Sequence, residues 1–341
     1  MSDPVLVEVT RGDLVESRHH GAVAVCDADG AMVLSLGDVE RPVFPRSAVK
    51  AIQALPLVES GAADAFGLTD EDLAFSCSSH SGEAGHAAKA AALLARAGLS
   101  VSALECGVHW PMGEAATREL ARRGEAPTAL HNNCSGKHSG FLCTCVHEGI
   151  DPHGYVRRDH AEQQLVRAAL AAVTGAPHGE DVCGTDGCSI PTYAVPLAAL
   201  ARGFARMATG IGLPPQRGAA ARRLVAACMA HPWFVAGTGR ADTLIMEAGQ
   251  RRIFTKTGAE GVFCAAVPER GLGVALKCED GATRAAEVMV AAVLARLLRD
   301  DAALAARLDE LARPRLVNRN GIDVGGLRPA GALSAPGAGT A

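Results

Sequence analysis

Two short motifs carry residue types that acyl transfer requires. In Phe44-Pro45-Arg46-Ser47-Ala48-Val49-Lys50 a serine precedes a lysine by three positions at the start of an apolar run. Pro45 suits the first turn of a helix, and a spacing of three puts the Ser47 hydroxyl and the Lys50 amine on one face. The helix dipole and partial burial both weaken the lysine's hold on its proton, so Lys50 is expected to serve as a base for Ser47 near neutral pH. Far downstream, Lys256-Thr257-Gly258 sits in a β-prone run.

The background makes these lysines conspicuous. Of the 33 basic residues only five are lysine (50, 89, 137, 256 and 277) and the rest are arginine. Arginine is always protonated, whereas a buried lysine can become a base or a ligand. Lys50, Lys137 and Lys256 all stand in Ser-, Cys- or Gly-containing motifs, while Lys89 reads as a helix-surface charge. A Ser-x-x-Lys at a helix start that faces a Lys-Thr-Gly on a strand, with a third polar element between them, is the order found in serine penicillin-recognising enzymes. Here the middle element is Cys77-Ser78-Ser79-His80-Ser81-Gly82-Glu83, with Ser79 as its functional hydroxyl.

A third constellation is His131-Asn132-Asn133-Cys134-Ser135-Gly136-Lys137-His138, followed later by Gly184-Thr185-Asp186-Gly187-Cys188. Cys134, Lys137 and Cys188 offer two sulfurs and an amine to zinc, although a lysine ligand must bind unprotonated. Separate burial of the two cysteines, or Cys134 as a nucleophile with His131 or His138, are the alternatives from residue chemistry. Arg46, His80, Asn133 and Asp186 are candidates for gripping the polar ends of a small substrate.

The elements that must position these groups follow from the pattern. Apolar β-prone runs around Asp27-Ala28-Asp29-Gly30 signal a hairpin. From Ser47 to about Phe234, Ala/Leu/Arg-rich segments predict helices, and after Asp242 the runs TLIMEA, RRIFTKT, VFCAAV and GVALKC predict strands. A long helix over about 282–311 and a last strand over 321–327 complete the expectation. The fold class is therefore α+β. Residues 1–328 form one domain, with an antiparallel sheet from 1–45 and 235–328 flanked by helices, a helical subdomain over 46–234 inserted between its halves, and a flexible tail at 329–341.

Composition excludes several functions. A net charge of -4 with no basic tract argues against nucleic acid, and no apolar run is long enough to span a bilayer. Eleven cysteines, an odd number, without a secretion signal predict free thiols and a cytoplasmic protein.

The segments PRSAVKAIQ, CSSHSGE, HNNCSGKHSGF, GTDGCSIP and KTGAEGVF together resemble the rhizobial-type L-asparaginase family, over nearly the whole chain to about residue 328. The resemblance implies a fold related to serine glutaminases and β-lactamases, a homodimer, and hydrolysis of L-asparagine to L-aspartate and ammonia. It also implies two Ser-Lys tandems, Ser47 with Lys50 and Ser79 with Lys256, and a zinc site at Cys134, Lys137 and Cys188. A serine glutaminase, a penicillin-type hydrolase, a zinc-dependent amidase and a non-catalytic amino-acid sensor are the competing readings.

Overall fold

A computed structural model describes residues 3–334. Eight strands form the main sheet: β1 (Val5–Arg11), β2 (Leu14–Cys26), β3 (Met32–Leu36), β4 (Phe254–Thr257), β5 (Val262–Val267), β6 (Leu272–Cys278), β7 (Arg315–Val317) and β8 (Asp323–Pro329). Their spatial order is β7-β8-β1-β2-β6-β5-β4, with β3 also paired to β2, and every pairing is antiparallel. The hairpin between β2 and β3 turns at Asp27, whose Oδ1 accepts from the amides of Asp29, Gly30 and Ala31.

The sheet is covered on both faces, and its strands divide their side chains with period 2. Val23, Val25, Phe263, Val274 and Leu276 point toward helices α9 (Thr283–Leu297) and α10 (Ala302–Leu311). The small residues Ala22, Ala24, Cys264, Ala266 and Ala275 point toward the helical body, where α6 (Leu197–Thr209) lies across β6. Gly273 permits that approach: a Cβ there would sit 2.0 Å from Ala201 O. The remaining helices used below are α1 (Lys50–Gln53), α2 (Asp70–Ser76), α3 (Ala84–Arg96), α4 (Ser135–Glu148), α5 (Ala161–Thr174), α7 (Pro215–Ala230) and α8 (Ala241–Gly249).

The α+β architecture expected from the pattern is present, with three local differences. TLIMEA forms α8 rather than a strand, because a short apolar run fits either state and its buried residues Thr243, Ile245, Met246 and Gly249 line one helix side. The expected helix over 282–311 is two helices, broken before Asp301, whose side chain caps α10 by accepting from Leu304 N. Pro329 ends β8 and Gly331–Leu333 makes one more turn with Leu333 buried, so the expected tail does not start at 329; residues 335–341 lie outside the described residues. No helix among the described residues is long and apolar enough to cross a membrane.

Candidate active site

The Ser47 motif opens with Pro45, makes one 3-10 turn over Arg46–Val49, and then continues as α1. The end of β4 packs directly against this turn: a Cβ on Gly258 would lie 2.6 Å from Pro45 O and 3.3 Å from Ala48 N. The glycine of the downstream motif thus lets the strand approach the serine turn. Gly136 does the same for α4, whose first turn meets the end of α2 so closely that a Cβ would stand 2.2 Å from Phe75 O and 2.7 Å from Ser78 Oγ. Both approaches bring three sequence-distant motifs together.

At their centre is Ser79. Lys50 Nζ and Lys256 Nζ each lie 2.9 Å from Ser79 Oγ. Lys50 also donates to Ser78 O at 2.5 Å and contacts Cys134 Sγ at 3.2 Å, and Lys256 donates to Thr257 O at 3.0 Å. Both lysines are 0% exposed and Ser79 is 4% exposed. Burial pushes the Lys256 ammonium down to about 7, against the opposing charge of Asp242. At that value a fraction of the amine is neutral at pH 7, so its lone pair is available to a hydroxyl proton.

The expected contact between Ser47 and Lys50 is not made: among the described residues no hydrogen bond joins them. A lysine has four rotatable bonds, and the carbonyl of Ser78 and the hydroxyl of Ser79 hold this one inward. Ser47 is half-buried, and so are Arg46, Asn133 and Asp186. Arg46 adopts φ +52°, a conformation that costs a non-glycine residue free energy and that marks functional turns. Its Nε donates to Asp186 Oδ1 at 2.7 Å. Burial alone would raise the Asp186 carboxyl, yet the charge of Lys137 and the bond from Arg46 hold it below the usual range.

Cys134, Lys137 and Cys188 also converge. Lys137 Nζ lies 3.1 Å from Cys188 Sγ, and Lys50 Nζ lies 3.2 Å from Cys134 Sγ. The neighbouring Cys188 thiol, aided by Lys50 and Lys137, holds the Cys134 thiol well below its ordinary value, while Cys134 and burial raise Cys188. Burial opposes a charged Lys137, but Cys188, Cys134 and Asp186 raise it. Two soft sulfurs and a nitrogen, all buried, fit zinc once Lys137 gives up its proton. The cysteine–histidine alternative finds no pairing: His138 Nδ1 bonds Tyr155 Oη and His131 Nδ1 faces Thr128.

His80, expected to contact substrate, is buried and turned inward. Its Nε2 faces Ser135 Oγ at 2.9 Å and its Nδ1 accepts from Gly82 N at 3.1 Å, so both ring nitrogens are engaged. The ring is sealed in a stack with Phe75 and His86. Asn133 is half-buried beside the cluster: its backbone carbonyl accepts from His80 N and stands 3.4 Å from Lys50 Nζ, and its Oδ1 lies 3.5 Å from His109 Nε2. The Gly258 amide, a candidate oxyanion donor by position, is already given to Val262 O.

One contributor left no sequence signal. Asp242 at the start of α8 is 1% exposed and accepts from Thr257 N at 2.6 Å, which fixes the strand that carries Lys256. All eleven cysteines are free thiols, and Cys143 and Cys145 are buried in the core as expected.

The family described as L-asparaginase II matches residues 7–329. Among curated proteins none matches the chain. Among solved structures the chain is similar to a β-lactamase from Mycobacterium bovis, at 15% identity over 77% of this chain and 88% of that one with TM-score 0.41. It is also similar to a mutant simvastatin synthase from Aspergillus terreus, at 11% identity over 76% and 86% with TM-score 0.38.

Proposed function

The chain belongs to the L-asparaginase II family, and on that premise we propose that it hydrolyses the side-chain amide of L-asparagine to aspartate and ammonia through a serine ester. The observation that carries the mechanism is the hydrogen-bonded series Lys50 Nζ, Ser79 Oγ, Lys256 Nζ, with 2.9 Å at each link. A proton passed from Lys50 to Ser79, as Ser79 hands its own to Lys256, leaves Lys50 a neutral amine one turn from Ser47. The low proton affinity of Lys256 sets the pH at which this transfer is available.

Ser47 Oγ then attacks the amide carbon and its proton goes to Lys50. The C–N bond breaks as that proton passes to the leaving nitrogen, and ammonia departs from a β-aspartyl ester. Water attacks the ester, Lys50 takes its proton, and the Ser47 hydroxyl is restored with aspartate released. The turn around Ser47 is the half-buried part of the cluster, and Arg46, Asn133 and Asp186 stand there to meet the α-carboxylate and α-ammonium of the amino acid. Catalytic hydrogen bonds commonly close only with substrate present, which accommodates the missing Ser47–Lys50 contact. Zinc held by Cys134, Lys137 and Cys188 would supply a Lewis acid beside the site.

A second reading makes Ser79 the attacking hydroxyl, and it is favoured by the two direct lysine contacts. Ammonia release from asparagine and glutamine by the unaltered chain, Ser47→Ala and Ser79→Ala tests both readings. Asparagine turnover abolished by Ser47→Ala supports the first. Retained turnover moves the attack to Ser79, and a chain inert toward both amides overturns the function.

A further inference from the structure

Outside the Ser–Lys cluster, three donors of different chemistry meet where β2 passes the end of β6. Gly21 pairs with Cys278, and Glu279 N donates to His20 O at 2.8 Å, so the turn leading into α9 is pinned beside His19. His19 Nδ1 lies 2.6 Å from Asp280 Oδ2 and Cys278 Sγ lies 3.0 Å from Asp280 Oδ1. One donor atom from each of the three stands within 4.8 Å of the others.

We propose that His19, Cys278 and Asp280 form a second metal site, for a first-row divalent cation of the zinc class. An imidazole nitrogen, a sulfur and a carboxylate oxygen make a borderline-soft set that suits zinc or cobalt and not magnesium or calcium, which take oxygen ligands. Two of the ligands are rigid: His19 is 4% and Cys278 0% exposed, and a Cβ on Gly261 would come within 2.8 Å of Cys278 Cβ. The third gives access, since the Asp280 side chain is 51% exposed. His19 Nε2 is buried with no partner among the described residues, so Asp280 alone holds the ring and nothing else competes for it.

Ligand atoms around tetrahedral zinc stand about 3.3–3.8 Å apart. The aspartate therefore has to open by about 1 Å or less, which a half-exposed side chain on a turn allows. The cation replaces the thiol proton, which passes to solvent. The site then ties β2, the end of β6 and the turn into α9 together.

The test uses the full chain carrying Cys134→Ser and Cys188→Ser, stripped with chelator and titrated with Co²⁺. A bound equivalent with a thiolate-to-cobalt absorption band that disappears on adding Cys278→Ser is the expected result. Absence of cobalt binding, or a band indifferent to Cys278→Ser, overturns the site. If the double variant does not fold, zinc content of the otherwise unaltered chain decides: Asp280→Ala should lose one zinc equivalent per chain, and unchanged content refutes the proposal.

Discussion

Lys256 places its Nζ 2.9 Å from the Oγ of Ser79, a residue 177 positions earlier in the chain. The contact joins a strand lysine to a loop serine across the boundary between sheet and helical body.

Ser79→Ala breaks the proton path while leaving the Ser47 turn in place. We expect kcat for asparagine to fall by about 10²–10⁴ with little change in KM, the ordinary magnitude for loss of acid–base assistance. Steady-state kinetics check this, and an unchanged kcat would remove Ser79 from the mechanism.

The pH dependence follows from burial of Lys256. Its folded value, about 7, lies below the ordinary lysine value, so below pH 7 the amine is protonated and cannot accept from Ser79. We expect kcat to rise about tenfold per unit on the acid side and to level off above 7. Lys256→Arg should be inactive across the range, because arginine keeps its proton.

Gly258→Ala probes the approach of β4 to the serine turn. The added methyl would stand 2.6 Å from Pro45 O, a backbone atom that cannot move aside alone. Activity should fall by about tenfold or more while the fold persists, since misplacement by about 1 Å costs reaction rate heavily. Near-normal turnover with unchanged circular dichroism would show that the strand has room to shift.

Glu162 in α5 gives a prediction about stability alone. Both its carboxylate oxygens are buried without partners among the described residues, and burial pushes the group up to about 8. The folded chain holds the proton that the unfolded chain loses near 4.5, so stability is lost as pH rises from about 4.5 to 8. Glu162→Gln should raise the melting temperature by a few degrees at pH 8.5 and leave it nearly unchanged at pH 4.5. An equal effect at both values would contradict the assignment.

How much of this was legible depended on distance along the chain. The Ser-x-x-Lys and Lys-Thr-Gly patterns are local, and their facing could be expected because each names its own element type. The partner of Lys50 could not be read that way. Which oxygen a flexible amine reaches is set by Ser78 and Ser79 arriving from another helix end, held there by the close approach of Gly136. A histidine in a polar motif suggests substrate contact, and the stack that buries the His80 ring against Phe75 and His86 has no signature in the local sequence. Asp242 escaped notice because an aspartate bonded to a backbone amide leaves no spacing to detect.

The strand order has a consequence for synthesis. β2 is made long before one of its two flanking neighbours, β6 at Leu272–Cys278, and β1 waits longer still for β8. Pairing at such separation closes a large loop before it gains contacts, which slows folding and leaves apolar edges unpaired meanwhile. The nascent chain therefore carries Ser79 long before Lys256, and a chain halted short of residue 256 lacks the lysine that meets that serine from the sheet.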